Sequence, residues 1–208
     1  IVGIKKIIPI VTILTFYINV WRIFLYRNSI NWKKSIFFII FASPGLYFST
    51  YFYYVASPKL LTLIVGFSIL FLVILRKSFN YYNIYFNNWF LASYAVFTGL
   101  SLGIILGPGL MILTGLSATG LTGSTLVGTS SVADLFTIIV RTIYFIRLGV
   151  IDLEIFTLGT FLGIMCLGGT YLGKKIVDKI GNKIHQKFIE FFMIAGSVIM
   201  IVRALTLS

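Results

Sequence analysis

Residues that bind metals or carry redox chemistry are almost absent from this chain. Its 208 residues include one cysteine, Cys166, and one histidine, His185. A lone cysteine within an apolar run excludes a disulfide framework inside the chain. A lone histidine in a basic loop leaves no Cys/His cluster of metal-ligand spacing. Acidic side chains are scarce as well, five against 17 lysines and arginines. HExxH does not occur, and the apolar runs hold no plausible paired carboxylates or Ser–His pair. The chain therefore reads as a non-enzyme. Short alternating segments of about 10 residues, the mark of a membrane β-barrel, are also missing.

What is present is apolar. Hydrophobic residues make up 59% of the chain and charged ones 11%, with a mean hydropathy of +1.02. Such a balance lies far outside that of a soluble domain. Runs at or near the roughly 20 residues that cross a bilayer as helix fall at 7–26, 35–55, 60–75, 89–106, 124–146, 155–172 and 188–205. The expected fold is all-α: a polytopic transmembrane helix bundle of about seven spans, multi-pass in the cell membrane, with the lipid bilayer as its surroundings. The net charge of +12 sits mostly in short loops between these runs. That pattern is membrane topology and argues against nucleic acid as a partner. The loop cations lean toward a cytoplasmic side holding Lys5, Lys6, Lys59, Lys174, Lys175, Lys179, Lys183 and Lys187.

An internal echo organises the chain. Arg27–Trp32 follows the first span as Leu148–Leu153 follows the fifth, and in both cases a span with small residues comes next. Repeats of this kind mark many secondary transporters, with the substrate at the repeat interface. The expected division is a single membrane domain over 1–208: a partial first repeat at 1–76, a connecting loop at 77–91 and a second repeat at 92–208. The second copy opens on a glycine-rich stretch with no counterpart before Ile7, so the chain is expected to be a fragment lacking one or two N-terminal spans.

The stretch 99–141 carries the polar load. Gly107-Pro108-Gly109 breaks an apolar run, because proline lacks an amide hydrogen and glycine permits backbone that other residues avoid. The residues after the break are read as a re-entrant hairpin or as the unwound half of a discontinuous helix. Hydroxyls then crowd 123–131, with Ser124 or Thr125 as the expected N-cap of the next helix. Free amides and the macrodipole at such a start favour an anion. The plainer reading is that these hydroxyls bond carbonyls or ease helix packing.

Ser130, Asp134, Thr137 and Arg141 are spaced 4, 3 and 4 apart. On a helix they lie within about 60° of one another, a single polar stripe. Placing Asp or Arg at the bilayer centre costs about 2.5–3.5 kcal/mol each, so this face should point into the bundle. Asp134 and Arg141 either flank a substrate or form an internal ion pair. The expected substrate-binding set is Gly107, Pro108, Gly109, Ser124, Thr125, Thr129, Ser130, Asp134, Thr137 and Arg141, and the expected ligand is a small anion. A second reading makes the protein a membrane scaffold or assembly subunit whose polar stripe binds a partner helix.

Other features call for less. Gly159/Gly163 and Gly169/Gly173 predict close helix contact. Pro44 reads as a simple kink, the aromatics at 47–54 and 81–89 as interfacial belts, and 174–187 as a solvated basic loop at lipid headgroups.

The region 99–203 resembles the C-terminal repeat of the TauE/SafE family of membrane permeases, the sulfite exporters. A GxGGxxxxP-like element corresponds to GIILGPGLMI at 103–112, and an AxGTS element to LVGTSSVADL at 126–135. A GxVDW-like loop corresponds to GVIDL at 149–153, and a GxxxGxxLGxxL-like span to GTFLGIMCLGGTYLGKKI at 159–176. A basic loop and a last span complete the order. Asn28–Trp32 and Ser43–Gly45 look like the matching parts of an N-terminal repeat. The resemblance implies export or uptake of sulfite or a related organosulfur or sulfur-oxyanion solute, with no bound cofactor.

Overall fold

The computed structural model describes residues 4–57, 59–64, 67–68, 71, 74, 87–104, 109–180, 194–195, 198–199 and 201–202, with the side chains of 4–5 and 172–180 left aside. The described elements are helical: α1 (Ile4–Tyr26), α2 (Trp32–Val55), α3 (Asn88–Leu102), α4 (Gly109–Ser117), α5 (Gly123–Arg147) and α6 (Leu153–Ile180), with a 3₁₀ turn at Arg27–Ser29. No strand occurs among the described residues. Among the described residues, four helices are long and apolar enough to cross a membrane, at Lys6–Ser29, Trp32–Val55, Gly123–Arg147 and Leu153–Tyr171. The expected spans at 60–75 and 188–205 lie largely outside the described residues, as do the aromatics at 81–86.

Local chemistry sets the helix limits. Asn31 accepts the Lys34 amide at 3.1 Å and starts α2, and Asp152 accepts the Ile155 amide at 2.7 Å and starts α6. The two residues occupy matching places in the sequence echo. The start of α5 differs from expectation. Its N-cap is Thr122, which makes no side-chain cap bond, and Gly123 enters the helix at φ +53°. Only glycine adopts that backbone without strain, so it moves the boundary ahead of Ser124 and Thr125. The expected loop from 174 is also corrected: α6 runs on to Ile180. Pro44 lies inside a continuous α2.

Residue pairings fix the helix directions. Thr129 of α5 bonds the start of α2, and Phe145 packs at a tilt against Tyr53 near its end, so α2 and α5 run parallel. Lys6 pairs with Glu154, Ile13 faces Gly159 and Tyr17 faces Gly163, so α1 and α6 run parallel. Asn19 of α1 meets Asp134 of α5, and with Ile8 clustered near Phe145 these two helices run antiparallel. In lipid there is little hydrophobic drive between helices, so close fit holds them together. The tightest fit joins α2 to α3. A Cβ on Gly45 would lie 2.6 Å from the Leu100 nitrogen, and one on Gly99 would collide with the Ala42 carbonyl. Gly159 and Gly163 make the close contacts expected of them. Gly169 does not: a Cβ there would meet nothing within 4 Å among the described residues.

Among the described residues, two apolar clusters lie at different levels. One gathers Phe38, Ala42, Leu46, Leu91, Ala95, Ile112, Leu116 and Ala133 of α2–α5. The other joins Ile8, Tyr53, Leu61, Ile104 and Phe145. Large apolar side chains such as Phe48, Ile74, Phe90 and Ile164 cover the outside, as a lipid-facing surface requires.

Candidate functional site: a broken helix facing a buried charged stripe

Helix α3 ends at Leu102, Gly103 and Ile104 lie in a turn, and α4 is described from Gly109, the last residue of the GPG element. Gly107 and Pro108 lie outside the described residues. The chain then turns back. The Tyr94 hydroxyl donates to the Met111 carbonyl at 3.0 Å, and its ring fills the space where Gly115 lacks a side chain. Tyr94 is more than two turns before the end of α3, so it reaches Gly115 only if α4 descends beside α3. The pair is a hairpin, the first of the two readings left open by sequence. At its foot the Lys34 ammonium donates to the Thr119 carbonyl at 2.8 Å and to its hydroxyl at 2.9 Å, fixing the turn after α4 to the start of α2.

The hairpin's inner ends face α5. Ser130, Asp134, Thr137 and Arg141 are all buried, with exposures of 5%, 6%, 4% and 2%. The stripe thus points into the bundle, as the cost of placing ionisable groups in lipid demands. Asp134 sits near the middle of α5. Its Oδ2 accepts the Asn19 amide at 2.8 Å, and a Cβ on Gly109 would lie 2.8 Å from the same oxygen. Two turns up the helix, Arg141 Nη1 donates to the Leu102 carbonyl at 2.7 Å. The carboxylate thus faces Gly109 of α4, and the guanidinium caps the carbonyl of the last residue of α3, a placement that complements that helix's dipole.

No ion pair joins Asp134 to Arg141 among the described residues. The two charges nevertheless act on each other through space. Each charge is held by a neutral partner, and each retains an unbonded atom. Among the described residues, Arg141 Nε, Asp134 Oδ1 and Asn19 Oδ1 are buried without hydrogen-bond partners.

The hydroxyls divide. Ser130 and Ser131 donate to the Val127 carbonyl at 3.0 and 2.8 Å, and Thr137 donates to the Asp134 carbonyl at 2.8 Å. Thr129 accepts the Asn31 amide at 2.9 Å, while its carbonyl accepts from Ser35 at 3.2 Å. These bonds are those of the plainer reading, local satisfaction within helices and at one junction. Ser124 is exposed and Thr125 half-buried at the start of α5, below the cluster. The structure brings Gly109, Asp134 and Arg141 to the hairpin tip and leaves Ser124 and Thr125 at its foot.

Sequence reasoning missed Asn19. It is 2% exposed and forms the only side-chain bond to Asp134 among the described residues. A signal existed: an amide side chain midway along an otherwise apolar span is itself a mark of an internal polar site.

The family described as sulfite exporter TauE/SafE matches this chain over residues 1–200. No curated protein and no solved structure matches it.

Proposed function

The chain belongs to the sulfite exporter TauE/SafE family, and from that membership we propose that it is a multi-pass permease of the cell membrane. It moves a small anion, sulfite or a related organosulfur or sulfur-oxyanion solute, as a secondary transporter and without a bound cofactor. One observation carries the anion assignment. Arg141 is a permanent cation, 2% exposed, with no bonded carboxylate and with Nε unpartnered among the described residues. A buried charge of this kind is costly unless matched. Guanidinium donors are shaped for an oxyanion, which they can grip through parallel N–H bonds.

The hairpin supports the same reading. Irregular backbone is tolerated at membrane depth only where protein or a water-filled cavity receives it. The anion is assigned to the space beside Arg141, with Thr137 one turn away on the same face, and Gly107, Pro108, Gly109 and Ser130 are retained on sequence grounds. Thr129 braces the α2 junction, and Ser124 and Thr125 line the approach at the foot of the hairpin. The helix directions favour an inverted repeat. Helices α1 and α2 answer to α5 and α6, and the contacts of α1 with α6 and of α5 with α2 become equivalent under a two-fold axis in the membrane plane.

Counterflow in proteoliposomes loaded with unlabelled sulfite, thiosulfate or methanesulfonate tests the proposal. Protein-dependent entry of the labelled species is expected for at least one of them. Entry of none, with the protein folded in the bilayer, would support the scaffold reading instead.

A further inference from the structure

We propose that Asp134 is the proton-carrying residue of the permease and that Asn19 receives the proton's hydrogen bond, closing a cyclic acid–amide pair. The inference rests on the permease reading and adds the coupling ion to it. Asn19 and Asp134 face each other from the antiparallel helices α1 and α5 and are each more than nine-tenths buried. The Asn19 amide nitrogen donates to Asp134 Oδ2 at 2.8 Å and to the Thr15 carbonyl at 3.0 Å, so both its hydrogens are placed. Left over are Asn19 Oδ1 and Asp134 Oδ1. Both are acceptors, so an anion satisfies neither of them. What the pair lacks is a hydrogen.

A carboxylic acid and a primary amide join through two bonds, amide N–H to acid carbonyl and acid O–H to amide carbonyl. The first of these is present. A proton on Asp134 Oδ1 supplies the second and satisfies both leftover oxygens at once. The step is a simple protonation: an O–H bond forms with a proton from water on one side, no electrons are transferred, and the same bond breaks to release the proton on the other. A divalent cation fits less well, since such ions take six or more oxygen ligands and no metal-holding group of His, Cys, Asp and Glu occurs among the described residues.

The charged groups that act on Asp134 are Arg141 on the same helix and Arg22 on α1, and Gly109 of α4 faces its carboxylate. Helix α4 carries no ionisable side chain. On α2, Lys33 and Lys34 lie at its far end, with Lys34 bonded to Thr119, and Tyr53 acts on Arg141.

Infrared difference spectra of the protein in liposomes, titrated with pH, test protonation directly. The chain has five carboxylate side chains, so assignment is tractable. The wild type should show a titrating carbonyl stretch of a protonated carboxyl group. Asp134→Asn should abolish that band, and Asn19→Ala should shift it without removing it, which a merely structural role would not do. In parallel, a pH gradient should drive labelled methanesulfonate into wild-type proteoliposomes, with protons moving alongside as read by an internal pH dye. Methanesulfonate stays ionised throughout, so its own protonation does not confuse the result. A band absent from the wild type, or unchanged in Asp134→Asn, overturns the proposal. Counterflow that is present but indifferent to the gradient overturns the coupling role and leaves the permease reading intact. A titrating band without any counterflow overturns the permease reading and with it the coupling, while protonation of Asp134 stands.

Discussion

Arg141 donates to the carbonyl of Leu102, the last residue of α3, and so holds the charged face of α5 against the end of a helix that goes no further. One guanidinium both caps that helix and keeps donors in reserve. The geometry has consequences that mutation and transport assays can measure.

Gly109→Ala should disturb the site from the other end. The added Cβ would lie 2.8 Å from Asp134 Oδ2, which Asn19 holds in place. Either the carboxylate or the start of α4 must shift. A loss of about 1–3 kcal/mol is expected for such overpacking. Thermal unfolding in detergent should show it, together with reduced transport per folded molecule.

Gly45→Val should part α2 from α3, because the new side chain meets the Leu100 backbone rather than a movable side chain. The expected cost is about 1–3 kcal/mol or more. Gly169→Ala is the control, since nothing among the described residues lies within 4 Å of its added Cβ. It should leave the unfolding midpoint where it is or raise it slightly.

Asn31→Ala and Asp152→Ala should each cost about 0.5–2 kcal/mol, because each removes a side-chain bond to the first turn of a membrane helix. Thr122→Ala should cost little, since Thr122 caps α5 without a side-chain bond. Similar shifts in unfolding midpoint for the first two, with none for the third, would bear this out.

The sequence made the spans legible because lipid imposes a strong constraint: long apolar runs, with cations in the loops. The polar stripe was legible for the same reason, as Asp134 and Arg141 could only face inward. The caps at Asn31 and Asp152 were foreshadowed by the echo between their loops. Other features depend on three-dimensional neighbours. That Asp134 bonds Asn19 and not Arg141 follows from the antiparallel course of α1 beside α5, which hydropathy does not encode. The placement of Thr122 as cap turned on one positive φ at Gly123. Gly159 and Gly169 have similar surroundings in sequence, yet among the described residues only Gly159 meets a helix, because α1 lies beside that part of α6.

The most direct test of the anion site compares Arg141→Gln with Arg147→Gln in proteoliposome counterflow of labelled sulfite, thiosulfate and methanesulfonate, normalised to folded protein. Arg141 is buried where its charge is weakly screened, whereas Arg147 is exposed at the end of α5, where water and headgroups screen it. The account predicts that Arg141→Gln loses counterflow while Arg147→Gln keeps it. Equal counterflow by the two variants would contradict it, and would reduce Arg141 to a brace for the end of α3.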